Sequence, residues 1–224
     1  MSFRDILYLH RVEPPLFDPE SAYNLDFSDG LTYWAFIKGT DVQPTVSYID
    51  GEGVKVRSFR DSRWIFIYKP LIKVREEGYY VVEALVKYCF YSHRFCTKKG
   101  EVDGFIVRVE PLDENLNSIE IDVDRWVWGD NGETFFRTDW RCGYKPCISL
   151  GRFRCGDIAL AGCSSWRKVF SFFKTPKGSR YLRLYIAGQG EGEVAIKYVR
   201  VLSGAPRGVA LEYRESPFKG LQIP

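Results

Sequence analysis

Residues 119–128 carry the side chains best suited to chemistry in this chain: Glu120, Asp122, Asp124, Trp126 and Trp128 alternate with Ile119, Ile121, Val123 and Val127. On a strand, successive side chains point to opposite faces, so the pattern sets one apolar face against a second of carboxylates and indoles. The two indoles would stand about 7 Å apart along the strand. An indole offers a flat apolar surface and a carboxylate accepts hydrogen bonds from hydroxyls. Together they suit a sugar ring, which has an apolar face and a hydroxylated edge. Trp64, Tyr88, Tyr91, Trp140 and Tyr144 are further aromatic candidates for the same groove. Two other fates stand beside ligand stacking. The segment 139–163 is long enough to cover Trp126 and Trp128 as core, and Trp, Tyr and Arg also gather at protein interfaces.

Catalysis needs more than these carboxylates. A glycoside hydrolase opposes two carboxyl groups across a cleft, about 5 or about 6.5 to 9.5 Å apart. Glu120, Asp122 and Asp124 are instead neighbours on one predicted strand, and no nucleophile elbow, triad or phosphate loop accompanies them. The expectation is a binding protein with no catalytic residues.

Six cysteines are the second chemical feature: Cys89, Cys96, Cys142, Cys147, Cys155 and Cys163. Disulfides are the leading reading, because an even number permits full pairing and long loops with little core gain most from cross-links. The connectivity stays open. Zinc on Cys89, His93 and Cys96 with a further thiolate, or on the four later cysteines, lacks the paired C-x-x-C spacing of a tetrahedral knuckle. Free buried thiols are the remaining alternative.

The elements that must position these groups read as strands. Strand signals recur at 33–37, 54–59, 64–68, 79–88, 104–110, 117–128, 133–138, 166–173, 181–186 and 193–202, separated by Gly and Pro turns, and no window sustains helical spacing. The fold class is therefore all-β, a β-sandwich. Within 193–202, Val194 and Ile196 give way to Val199 and Val201 across one extra residue at Lys197–Tyr198, which predicts a β-bulge. Pro14, Pro15 and Pro19 mark residues 1–22 as an extended arm, and Pro206, Pro217 and Pro224 mark 205–224 as another.

With 224 residues, 45% hydrophobic and 16% aromatic, the chain has ample core for one domain spanning 23–204. The 32 basic and 29 acidic side chains leave a formal charge of +3, which demands no polyanionic partner. Arg57, Arg60, Arg63, Lys69, Lys73 and Arg75 interleave with Phe59, Trp64, Phe66 and Tyr68. That pattern could track a nucleic acid, but a solvated sheet face is the commoner outcome and nucleic acid is not the expected partner. No signal peptide and no membrane-spanning run is legible. The single Met and the rarity of Gln lean towards a thermophile, where intracellular disulfides persist.

Several segments, in order, resemble the jelly-roll, galactose-binding-like carbohydrate-binding modules. They are Asn24, Phe27, Gly30 and Trp34; then 53–58; then 80–87; and finally Trp166 and Val169, the Pro176-Lys177-Gly178 turn, Leu182 to Ile186, and the bulged 193–202. The resemblance covers 23–203 apart from a dissimilar, cysteine-rich insertion at about 88–163. It implies a jelly-roll sandwich that binds a glycan or polysaccharide without cleaving it, with Trp34 and Trp166 in the core. It also implies a structural calcium, but the corresponding positions are Ser28 and Lys197–Tyr198. An ammonium in place of a carboxylate argues against the ion, Asp26 and Asp29 compensate only partly, and no cofactor is expected. The alternative is a structural or assembly protein, a virion or cell-surface component that uses the arms in a homo-oligomer or partner contact.

Overall fold

The computed structural model describes residues 14–39, 42–49, 51–90, 103–122, 125–129 and 154–204, with 126–129 described as backbone. Among these, every regular element is a strand except one 3-10 turn at Pro19–Ser21. The first strands are β1 (Leu16–Phe17), β2 (Trp34–Lys38), β3 (Thr45–Ile49), β4 (Gly53–Ser58), β5 (Arg63–Tyr68) and β6 (Leu71–Lys73). After them come β7 (Tyr79–Phe90), β8 (Gly104–Leu112), β9 (Trp126–Gly129), β10 (Ile158–Leu160), β11 (Cys163–Lys174), β12 (Tyr181–Gln189) and β13 (Gly192–Ser203).

The strands form two sheets packed as a jelly-roll sandwich. In the seven-stranded sheet, β12 is the spine: β8 pairs along its whole length on one side and carries β10, while β5 and β6 share the other side, leading out to β2 and β1. The six-stranded sheet runs β3-β4-β13-β7-β11-β9. Alternation explains the core between them. Leu182, Leu184 and Ile186 of β12 belong to one buried cluster with Val82, Ala84 and Val86 of β7. One end is closed by a ring cluster in which Trp34 stacks on Phe27 at 5.0 Å and meets Tyr68 at 5.1 Å.

Strand β5 shows why the basic and aromatic interleaving is not a nucleic-acid face. Trp64, Phe66 and Tyr68 point into the sandwich and are fully buried, while Ile65 and Ile67 are buried on the other side of the same strand. A strand covered on both faces reads as a continuous apolar run. Its rings cannot stack on bases.

The predicted bulge is present. The β13–β7 register shifts between Ile196 and Tyr198, so Val194 and Ile196 before it and Val199 and Val201 after it all reach the core. Gly53, at the end of the β3–β4 turn with φ +81°, fits against this bulge: a Cβ there would lie 2.1 Å from the Ile196 carbonyl oxygen and 2.8 Å from Lys197 Cα.

Cys89 of β7 and Cys163 of β11 stand directly opposite and are joined by a disulfide. The Phe90 amide donates to the Gly162 carbonyl at 2.9 Å, which makes the cysteines a non-hydrogen-bonded pair, the kind whose Cα atoms approach most closely. They are 3.9 Å apart. Cys155 is disulfide-bonded too, whereas Cys96, Cys142 and Cys147 lie outside the described residues.

Two stability outcomes are expected. Gly53→Ala forces the turn off the bulge and should cost about 1–3 kcal/mol, read as a fall of several degrees in Tm. Replacing Cys89 and Cys163 together by Ser reopens a loop with a sequence separation of 74. The chain-entropy account puts that loss at about 4 kcal/mol, measurable as a lower urea midpoint in the double variant.

Candidate functional site

A sandwich has two outer faces, and here they differ in kind. On the seven-stranded sheet, Ile65, Ile67, Ile106, Ala159, Tyr185 and Ala187 form a second buried apolar cluster on the outer side. Beside it Arg108 pairs with Asp157 at 2.7 Å, both side chains at most 5% exposed. Glu110 accepts from Tyr185 at 2.8 Å and from Arg154 at 3.1 Å. Burial, and then the charge of Glu110, push the Tyr185 phenol well above its ordinary range, so it stays a donor. This face is closed and its charges are mutually satisfied.

The outer face of the six-stranded sheet is polar and open over most of its area. Pairing fixes its rows. Arg57, Glu193, Cys89 and Cys163 form one, Lys55, Ala195 and Lys87 the next, Tyr198, Leu85 and Lys168 the third, and Arg200, Glu83 and Phe170 the fourth. Beyond them Val81 and Phe172 are buried again.

At the centre, the Tyr198 hydroxyl donates to Glu83 Oε1 at 2.9 Å, and Lys168 Nζ lies 3.3 Å from Glu83 Oε2. The Arg200 guanidinium sits over the Tyr198 ring, 4.3 Å from its centroid. Burial and the hydrogen bond to Glu83 push the Tyr198 phenol upward and keep its proton in place. A second bridge, Lys55 to Glu193 at 2.8 Å, spans β4 and β13. The face therefore offers an aromatic ring, carboxylate acceptors and ammonium and guanidinium donors within neighbouring rows.

The predicted strand over 117–128 is not continuous. Asp113 Oδ1 accepts from the Asn115 and Asn117 amides at 2.8 Å each, folding the chain back so that Ser118 bridges to Leu112 at the end of β8. The segment then reaches the other sheet, where β9 is the edge strand beside β11, with Trp128 opposite Phe172 and Trp126 opposite Phe173 in backbone register. Asp122 and Arg125 are tied together at the crossing: the Arg125 amide donates to Asp122 Oδ1 at 3.1 Å, and Arg125 Nη1 to Glu77 Oε1 at 2.7 Å. Glu120 and Asp122 are exposed with Ile121 buried between them, as the alternation requires, but they precede the crossing while Trp126 and Trp128 follow it. The four do not share one strand face.

Two aromatic candidates are corrected. Tyr88 faces the core, edge-on to Phe105 at 5.4 Å, and Trp64 is wholly buried beneath Gly188, where a Cβ would come within 2.3 Å of the indole. Trp166, predicted as core, is 36% exposed because it falls at the register shift between Ser164 and Arg167. Tyr91, Asp124, Trp140 and Tyr144 lie outside the described residues. Sequence reasoning missed Glu83, Lys168, Tyr198 and Arg200. The period-2 spacing of Glu83, Leu85 and Lys87, and the bulge that turns Tyr198 outward, were the available signals.

No family model matches the sequence, and no curated protein matches it significantly. Solved structures are similar in fold. The enzymatically active domain of tailspike protein 4 of bacteriophage CBA120 superposes with TM-score 0.52 at 11% identity, covering 82% of this chain and 21% of that one. The chain thus spans about a fifth of that domain's length. TmCBM61 in complex with beta-1,4-galactotriose gives TM-score 0.41 at 9% identity, over 82% of this chain and 97% of that one. The family 11 carbohydrate-binding module of the Clostridium thermocellum cellulosomal cellulase Lic26A-Cel5E gives 0.42 at 10% identity, over 80% and 93%. At these identities the likeness is one of fold alone.

The loop where the resemblance implies calcium does not fit the ion. Asn24 Nδ2 donates to the Gly30 carbonyl at 3.2 Å and to the Thr32 carbonyl at 2.7 Å, and Asn24 Oδ1 accepts from the Asp29 amide at 2.9 Å. A neutral amide thus occupies carbonyls that a cation would otherwise draw together. Burial pushes the Asp26 carboxyl up, but hydrogen bonds from Ser28 outweigh it and hold it below the usual carboxylate range. Lys197 stands exposed in the bulge. Accordingly, a chelator should leave Tm unchanged, whereas Asn24→Ala, which removes the buried amide that gathers the Gly30 and Thr32 carbonyls and the Asp29 amide, should lower it by an amount equivalent to about 1 kcal/mol or more. A Tm that falls with chelator and recovers with added calcium would show that the amide is not the keystone.

Proposed function

We propose that the protein is a non-catalytic carbohydrate-binding module that receives a glycan on the outer face of the six-stranded sheet, with β9 at its rim. The observation that carries this reading is the contrast between the two outer faces: one is apolar and closed, and the other sets Tyr198 between Glu83 and Arg200 in open rows. A sugar ring can lie against the aromatic and aliphatic surface of Tyr198 and Leu85 while its hydroxyls reach carboxylate and cationic groups on either side. Trp128, in backbone register with Phe172 of the outer face, would extend this surface at the sheet edge, whereas Trp126 is in register with Phe173 of the core. That role rests on the position of β9 beside β11.

Binding without cleavage is favoured by the spacing of the acids. Glu193 is level with Cys89, six residues along β7 from Glu83, or about 20 Å. A pair of hydrolytic carboxyls sits within about 10 Å. Glu83 and Glu193 are also each engaged by a lysine.

A glycan array followed by affinity gel electrophoresis tests the reading. Tyr198→Ala and Glu83→Gln should each weaken binding of a retained polysaccharide by about 1 kcal/mol or more, roughly fivefold, with Tm changed little. Trp128→Ala should do the same. If that variant instead loses about 3 kcal/mol of stability, the Trp128 indole is core and the rim is wrong. Retention of no polysaccharide by the native protein would reject the module altogether.

A further inference from the structure

The outer face of the six-stranded sheet carries an excess of cations, and the excess is local. Glu83 and Glu193 are the carboxylates in its four open rows, and each is matched, Glu83 by Lys168 and Glu193 by Lys55 with Arg57 at 3.7 Å. Lys87, Lys197 and Arg200 remain. All three are exposed, and among the described residues no carboxylate lies within ion-pair distance of any of them. Asp26 and Arg200 attract one another only from beyond that distance.

Their placement is ordered by the sheet. Lys87 is level with Ala195, whose small side chain leaves a gap between Lys87 and Lys55, about 10 Å apart across two strand spacings. Lys197 is the extra residue of the bulge, and Arg200 lies two residues beyond Tyr198 on the same face, against its ring. The unmatched charges thus lie in the row of Tyr198 and the rows on either side of it. The whole chain is nearly neutral, at +3 in 224 residues, so this is a property of the face and not of the composition.

We infer that the ligand of this face is an acidic polysaccharide, one bearing carboxylate or sulfate groups along its length, which Lys87, Lys197 and Arg200 bind while Tyr198 and Leu85 support its rings. The inference rests on the glycan reading above and narrows it. A nucleic acid fits less well, because successive bases need a series of stacking rings and the four rows offer only Tyr198 and the half-buried Phe170.

Affinity gels with the full chain separate the cases. The probes are alginate and polygalacturonate for uronates, dextran sulfate and carrageenan for sulfates, highly methyl-esterified pectin and dextran as neutral polymers, and single-stranded DNA. At least one acidic polysaccharide should be retained over its neutral counterpart by about tenfold, and the preference should shrink as salt rises from about 0.05 to 0.5 M. The triple variant Lys87→Gln, Lys197→Gln, Arg200→Gln should lose that preference by about tenfold with an unchanged Tm, since exposed substitutions alter stability little. Uronate and sulfate arms tell which anion is read. Retention of neutral polymers equal to acidic ones, insensitive to salt and to the triple variant, overturns the charge inference and leaves the glycan module standing. DNA bound as tightly as any polysaccharide overturns it in favour of a general polyanion site, and no retention of any polymer removes both readings together.

Discussion

The one-residue shift in β13 at Lys197 is the constraint on which both the core and the candidate site depend. A strand exposes alternate side chains, so without the extra residue either Val194 and Ile196 or Val199 and Val201 would face water. The bulge lets both pairs enter the core and, in the same step, sets Tyr198 and Arg200 on the outer face opposite Leu85 and Glu83. Gly53 is bound to this choice because its own turn closes onto the bulged backbone. Core packing and the composition of the outer face are two consequences of a single register decision.

That decision was legible because apolar spacing reports it directly. The strands around Trp34, Val56, Phe66, Val82, Val107, Phe172, Leu184 and Val199 were visible for the same reason. Strands β3 and β6 were less visible: β3 has an exposed burial pattern and β6 is three residues long, so neither leaves a period to count. The segment 119–128 misled for the opposite reason. Its alternation is real over Ile119 to Asp122, but at Arg125, the one residue that breaks the pattern, the chain passes from one sheet to the other. Periodicity records which way side chains point, not which sheet they point from. Tyr88 and Trp64 were misread because an aromatic residue on a strand looks alike whether it faces core or solvent until its partners are known.

The asymmetry between the outer faces has a physical origin in β12. Its inward residues are Leu182, Leu184 and Ile186, while outward it offers Tyr185 and Ala187, which are small or capped by a hydrogen bond and are buried with Ile65, Ile67 and Ile106. A sheet apolar on both faces must be covered on both. Strand β7, the equivalent spine of the other sheet, presents Glu83, Leu85 and Lys87 outward and needs no cover. The face free to meet a ligand is therefore determined by what the two spines show to the outside.

Charge pairing across strands then divides that free face into what is fixed and what is available. Tyr198, Glu83 and Lys168 tie β13, β7 and β11 together, and Glu193 with Lys55 ties β13 to β4, so the carboxylates hold the strands in line with groups that would otherwise compete for a ligand. Exposed pairs of this kind contribute little to stability one by one. Their larger effect is on order: Glu83 holds Tyr198 and Lys168 in place, and Glu193 holds Lys55 and Arg57. The disulfide between Cys89 and Cys163 lies in the first row of the same face and locks β7 to β11 at its far end. A platform whose rings and charges are held before a ligand arrives loses less side-chain entropy on binding. Under the glycan proposal, preorganisation would let a shallow sheet face, with few groups directed at any one sugar, hold a polymer through several modest contacts.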